Sequence, residues 1–355
     1  MANLLSMKNK ILLLLILLPN FLYAKFDYQV FDYSDWFRPF WADMHSTITS
    51  TELGWAFKTD EYNFGEKVEG YKLNKIFSFS NIGADLPLFS CNFYDGKFGL
   101  GLTLPFLVDA WVDYFEPITS PLINASYRMG APEIVFIHRF NEPLWIIRNY
   151  AIKLTPFKHE STHLGDELTL YRKESEMPIT RVNVSYNYYE CGLTINDPDG
   201  TTEENHSLRF SFMSLINPQK GWYTIMPFEG DTSLVKYPTT NYEFYVQYQY
   251  QTATNKKLHL QYILSAEWRN RVRYDYPFSY SDASVFQTGA WKIVEDIFSY
   301  VNLNVAAGIR YNNPAVMKDY KVGLAAKFYN GINPHGQFRC IPFYAKMGIA
   351  LLFER

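Results

Sequence analysis

NYEFYVQYQYQ (241–251) alternates strictly: Tyr242, Phe244, Val246, Tyr248 and Tyr250 fall on one face, and Glu243, Gln247, Gln249 and Gln251 on the other. A period of two is the mark of a β-strand with unlike faces, because successive side chains point to opposite sides of the sheet. KLHLQYILSAEWR (257–269) repeats it, with Leu258, Leu260, Tyr262, Leu264, Ala266 and Trp268 against His259, Gln261, Ser265, Glu267 and Arg269. Between the two lies TATNKK, a short turn in which Asn255 tolerates the left-handed conformation. RVNVSYNYY (181–189) sets Val182, Val184, Tyr186 and Tyr188 against Asn183, Ser185 and Asn187. Apolar, aromatic faces opposite amide-rich faces suit strands with lipid outside and a wet lumen inside.

Composition points the same way. Aromatic residues make up 18% of the 355-residue chain, with 28 Tyr and 28 Phe, while its mean hydropathy is −0.19. Polarity on average with abundant Tyr and Phe fits a transmembrane barrel with aromatic girdles better than its competitor, a secreted β-sandwich. The 33 basic and 36 acidic residues nearly balance, so no nucleic-acid partner is expected. Cys91, Cys191 and Cys340 are too scattered for a disulfide framework or a zinc site, although one pair could oxidise after export.

The first 24 residues read as a signal peptide. Lys8 and Lys10 precede the apolar run Ile11–Leu18, and Tyr23-Ala24 ends in a small residue. The expected organisation is therefore a signal peptide over 1–24, a periplasmic N-terminal segment over 25–46, and an outer-membrane barrel over 47–355. Strands are expected near 50–57, 72–88, 97–112, 120–138, 145–161, 181–195, 205–216, 242–252, 257–270, 298–311, 319–330 and 341–353. These make a single closed all-β antiparallel barrel of about twelve strands, with ten or fourteen as alternatives. Long connections after 161, 216, 270 and 330 alternate with short ones after 195, 252 and 311, the rhythm of long extracellular loops and short periplasmic turns. Prolines 87, 105, 132 and 156 mark places where bulges and register shifts are expected. Outer-membrane lipids and the barrel-insertion machinery are the expected partners, the latter engaging the aromatic last strand.

PFWAD (39–43), INASYRMG (123–130), HESTHLGDE (159–167), RVNVSY (181–186) and YNGINPHGQF (329–338) resemble, in order, the signature segments of an outer-membrane β-barrel family, number 1207 among the domains of unknown function. The resemblance covers most of the chain after residue 24. It implies the barrel and its location, and brings no activity.

KHESTHLGDE (158–167) concentrates the chemistry. Parity carried up from Lys153 and Thr155 turns His159, Ser161 and His163 toward the lumen near the extracellular rim, with Asn183 and Ser185 of the next strand on the same inward face. Only a bulge at Pro156 would reverse this for the histidine strand. One reading is hydrolytic, with Ser161 as nucleophile, His159 as base and Asn183 as orienter. That order is similar to the His/Ser/Asn site of outer-membrane phospholipase A, also a twelve-stranded barrel, and histidine and serine also serve lipid A deacylases of the same membrane. The resemblance implies cleavage of acyl esters of phospholipid or lipid A, with calcium as the cofactor open under this reading alone. In the phospholipase the dyad faces lipid, whereas parity here turns it inward.

The competing reading is a lumen network of His163, Asp166, Glu167, Arg181 and Ser185, joined from a later loop by His335 and Gln337, in a barrel that is structural or passes small solutes. A metal shared by His159 and His163 is disfavoured, since four strand residues span roughly 13 Å. His163 with Asp166 or Glu167 in a turn is the more feasible pair, but no metal site is assigned.

Overall fold

The structure is a computed structural model, which describes residues 27–31, 36–58, 76–112, 122–164, 182–198, 203–216, 223–225, 242–270, 302–317, 320–335 and 344–354. Its strands are β1 (Asp27–Val30), β2 (Thr49–Lys58), β3 (Ile76–Phe93), β4 (Phe98–Val112), β5 (Leu122–Gly130), β6 (Glu133–Leu144), β7 (Ile147–Leu164), β8 (Val182–Ile195) and β9 (Asn205–Ile216). They continue with β10 (Tyr223–Ile225), β11 (Tyr242–Gln251), β12 (Leu260–Arg269), β13 (Asn302–Tyr311), β14 (Lys321–Gly331) and β15 (Tyr344–Glu354).

Neighbouring strands pair antiparallel around a ring that β15 closes on β2 through Phe353↔Thr49 to Ala345↔Lys58. β5 and β6 pair with the two halves of β7 and of β4 and so occupy one place in the wall. With β1 and β10 outside the ring, the result is a closed twelve-stranded antiparallel barrel. All twelve expected strands correspond to wall positions, and the long and short connections alternate between the two rims as expected.

The wall is apolar outside and charged inside. Leu53, Trp55, Tyr262, Leu264, Leu324, Ile349 and Leu351 stand exposed on the outer surface. Between them, side chains such as Glu52, Gln261, Ser265, Glu267, Arg269 and Arg310 point inward and are buried. This inversion of a soluble protein suits a ring of strands set in a bilayer.

The lumen is filled from the N-terminal side. Residues 25–46, expected as a periplasmic segment, include residues that thread the barrel. The Phe37 amide donates to Asp197 at 2.7 Å, the Trp41 amide to Gln249 at 3.0 Å, and the Trp41 indole N–H to Glu354 at 2.8 Å. Trp41, Ala42 and Ile48 pack with Ile263, Ala306, Ala325 and Leu352 from the inner wall, and Trp36 and Phe37 pack with Val135, Ile137 and Ala151. Glycines make room: a Cβ at Gly99, Gly192 or Gly323 would strike the rings of Trp36, Phe37 and Trp41 respectively. The Arg209 guanidinium lies 3.9 Å over the Phe37 ring and 4.3 Å over that of Phe40.

Ion pairs occupy much of the remaining interior: Arg269 with Glu267 at 3.0 Å, Arg310 with Glu354 at 3.1 Å, Lys346 with Glu52 at 3.0 Å, and Lys158 with Glu133 at 3.2 Å. Buried charges require such partners, because removing one of a pair leaves the other unsolvated. A cavity of about 470 Å³ remains between plug and wall, with Asp85, Glu133, Lys153, Lys158 and Arg209 among its lining residues.

Candidate functional site

Two adjacent wall strands carry one surplus residue each at the same level. Thr155 faces Glu190 and Lys158 faces Tyr188, so Pro156 and Phe157 of β7 oppose Tyr189 alone on β8. On the other side, Met129 faces Phe106 and Glu133 faces Thr103, so the three residues 130–132 oppose the two residues 104–105 of β4. Pro132 and Pro156 cannot donate to a ladder, which favours a bulge at both places. The Ala131 amide donates to the Phe157 carbonyl at 2.9 Å and knits the two defects together. A Cβ on Gly130 would collide with that same carbonyl oxygen, so the approach needs glycine.

The extra residue reverses every side chain above it. Below the bulge, Asn149, Ala151 and Thr155 are the buried, inward positions; above it they are Lys158, Glu160 and Thr162. His159, Ser161 and His163 therefore face outward, where parity carried up from Thr155 placed them in the lumen. β8 corrects that expectation as well. Its inward set is Tyr186, Tyr188, Glu190 and Thr194, all buried, so Ser185 and Asn187 face outward. Glu190 and Thr194 decide this parity, since β8 pairs with β9 without interruption from Asn187 to Ile195.

The outward residues form one patch near the rim of long connections. His159 stands opposite Asn187 and Ser161 opposite Ser185 across the β7–β8 ladder. On the β5 side their partners are Met129 and Tyr127. His159 Nδ1 lies 2.7 Å from Asn187 Oδ1. An amide oxygen only accepts, so Nδ1 is the donor, which in a neutral ring leaves the lone pair on Nε2. Ser161 Oγ lies 3.4 Å from His163 Nε2, and the His163 ring meets Tyr127 edge-on at 5.7 Å. The patch thus holds a hydroxyl flanked along its strand by two imidazoles, one of them oriented by an amide.

The inner side of the same wall is tightly braced. Arg128 donates to Asp109 at 2.6 Å and to Glu160 at 3.0 Å, and all three side chains are buried. Beside them, Asn124 Nδ2 donates to Ser126, Ser126 to Thr162, and Thr162 back to Asn124 Oδ1, at 3.2, 3.3 and 3.0 Å. Glu160 and Thr162 alternate with His159, Ser161 and His163 in the chain, so these bonds fix the backbone that carries the patch.

The other candidates separate. Asn183 pairs through its backbone with Thr224 of β10, and the amide that contacts His159 is that of Asn187. His335 lies inside the wall, stacked on Trp111 at 4.6 Å and edge-on to Phe79 at 4.9 Å. It is therefore divided by the wall from His163, which it was expected to approach. Asp166, Glu167, Arg181, Gln337 and Cys340 lie outside the described residues. Cys91 and Cys191 are free thiols, the first buried and the second exposed.

Among the described residues, no group of three or more His, Cys, Asp or Glu side chains is arranged to hold a metal ion. Calcium takes six to eight oxygens. Around Ser161 the described outer face offers only the hydroxyls of Ser185 and Tyr127 and the Asn187 amide, with Glu160 turned inward, and this donor set does not fit calcium.

No family model matches the chain, and no curated protein does. Among solved structures, the chain is similar to the outer membrane phospholipase dimer with bound calcium from Salmonella typhi, at 14% identity over 86% of this chain and 90% of that one, with a TM-score of 0.44. Outer membrane phospholipase A from Escherichia coli matches at 11% identity over 86% and 92%, with a TM-score of 0.45. The CymD monoaromatic hydrocarbon channel matches at 6% identity over 86% and 87%, with a TM-score of 0.34.

Proposed function

We propose that this chain is an exported outer-membrane barrel that hydrolyses acyl esters of membrane lipids, with Ser161 as nucleophile. The observation that carries the reading is the outward reversal of β7, which sets a serine between two imidazoles on the surface that meets lipid. A hydrolase acting on lipid needs its nucleophile on that surface, near the level of the ester bonds. Ser161 stands three residues before β7 ends at Leu164 on the long-loop rim, which suits the extracellular headgroup boundary.

An imidazole takes the Ser161 proton as Oγ attacks the ester carbonyl. His163 Nε2 is the nearer base at 3.4 Å; His159 is the one whose tautomer an amide sets. A serine–imidazole contact of that length is expected to tighten when substrate binds. Single substitutions separate the two bases.

The test uses purified protein in mixed micelles with radiolabelled phospholipid or lipid A. Wild type releases fatty acid and Ser161→Ala does not. Of His159→Ala and His163→Ala, the one that removes the base lowers kcat about 10²- to 10⁴-fold. Wild type that releases no fatty acid from either lipid, with or without calcium, sinks the proposal.

A further inference from the structure

We infer that Ser185 is the side chain that stabilises the oxyanion when Ser161 attacks an ester; this rests on the hydrolase reading above. In the attack, a bond forms between Ser161 Oγ and the carbonyl carbon, the hydroxyl proton passes to an imidazole, and the π pair moves onto the carbonyl oxygen. Collapse restores the carbonyl and breaks the bond to the alcohol oxygen, which takes the proton back. Water then repeats the sequence on the acyl-serine and frees the fatty acid. Both halves pass through an oxygen with a full negative charge, which needs a donor at about 2.7–3.1 Å.

Serine hydrolases commonly use backbone N–H groups for this, and the sheet here withholds them. Residues 158–162 of β7 are paired with β5 on one side and β8 on the other. In an antiparallel ladder the amides lie in the plane of the sheet and point at the neighbouring strands. Among the described residues 158–162, an ester arriving from the lipid side therefore meets side chains, and a donor there has to be one of them.

Register selects which. Ser185 is the cross-strand partner of Ser161 on β8, and directly opposed residues hold their Cβ atoms about 4.5–5.5 Å apart. That spacing accommodates a carbonyl whose carbon is bonded to Ser161 Oγ and whose oxygen accepts from the Ser185 hydroxyl. Tyr127, the partner on β5, has its ring engaged edge-on with His163, and Asn187 stands opposite His159, two residues along β8 from Ser185, with its side-chain oxygen on that ring. Ser185 is half-buried on the outer face, at a water-poor boundary where a single donor is worth more than in bulk solvent.

The experiment compares wild type with Ser161→Ala, Ser185→Ala, Ser185→Thr and Tyr127→Phe, each verified as folded by heat-modifiable gel mobility. Activity is read with a fluorogenic acyl ester in micelles. Ser185→Ala is expected to lower kcat about 10²- to 10³-fold with KM little changed, and Ser185→Thr, which keeps a hydroxyl, to recover most of it. A long-chain trifluoromethyl ketone, which forms a charged tetrahedral adduct with Ser161, should bind Ser185→Ala more weakly in step with the fall in kcat/KM. A serine with only a structural role would leave that parallel unmoved. Full activity in Ser185→Ala beside a dead Ser161→Ala overturns the assignment and leaves the hydrolase standing. The same follows if Tyr127→Phe, and not Ser185→Ala, shows the loss. Wild type without Ser161-dependent release overturns both.

Discussion

Arg128 shows how a residue that never meets lipid can govern one that does. It lies on the inner face between Asp109 and Glu160, with both contacts at 3.0 Å or less, and Glu160 separates His159 from Ser161 in the chain. Arg128→Ala would remove the guanidinium from between two buried carboxylates, and breaking a buried pair costs about 3–5 kcal/mol. The expected outcome is a lower urea midpoint of the folded, heat-modifiable form; an unchanged midpoint would show the pairs to be dispensable. At the same scale, the contrast between Asn183 and Asn187 marks a limit of sequence reading. Both lie in RVNVSYNYY with the same parity, so composition and periodicity make them equivalent. Only the register of β8 on β7 selects Asn187, and the residues that fix it are spread over both strands.

Among the elements, β11 and β12 were legible almost throughout. Their alternation named Glu243, Gln247, Gln249, Gln251, Gln261, Ser265, Glu267 and Arg269, all buried, while His259, expected on the same face, lies half-buried just before β12 begins. β5, β6 and β7 were not, because one surplus residue inverts a face and periodicity has no memory across a bulge. Proline was the available signal, and it was partly informative. Pro132 and Pro156 sit at the paired bulges and Pro87 at a register shift in β3, while Pro105 lies in unbroken pairing with Asp85. β8 failed for another reason: Tyr186 and Tyr188 look lipid-facing by type yet pack inside, where large rings help to fill the lumen. The seam between β5 and β7 makes its own prediction. Gly130→Ala pushes a methyl into the Phe157 carbonyl, and overpacking of this kind costs about 1–3 kcal/mol. The variant should unfold at lower urea and lose fatty-acid release; equal stability would mean that the two bulges are not in contact.

For the molecule as a whole, the plug decides between pore and closed barrel. Trp36 to Ile48 cross the lumen and bond to the turn after β8 and to β9, β11, β12 and β15, with Arg209 donating to the Arg38 carbonyl at 2.6 Å and the Ala42 amide to Ser265 at 3.1 Å. Small-solute passage, a natural expectation for a polar lumen, meets this obstruction. Wild type in planar bilayers should show no steady conductance, and a variant lacking residues 36–47 should conduct; open channels in wild type would refute the obstruction. The plug also dictates a sequence of events in assembly. It runs without a break into β2 at Thr49, and β2 is the strand that receives β15, the last to be synthesised. Three of its aromatic rings rest in notches on β4, β8 and β14, strands spread around the circumference. A tethered segment keyed to three sides cannot be pushed into a finished cylinder without pulling its own wall strand out of place. The filling must be seated while the wall is still an open sheet, and the final seam is sewn around it.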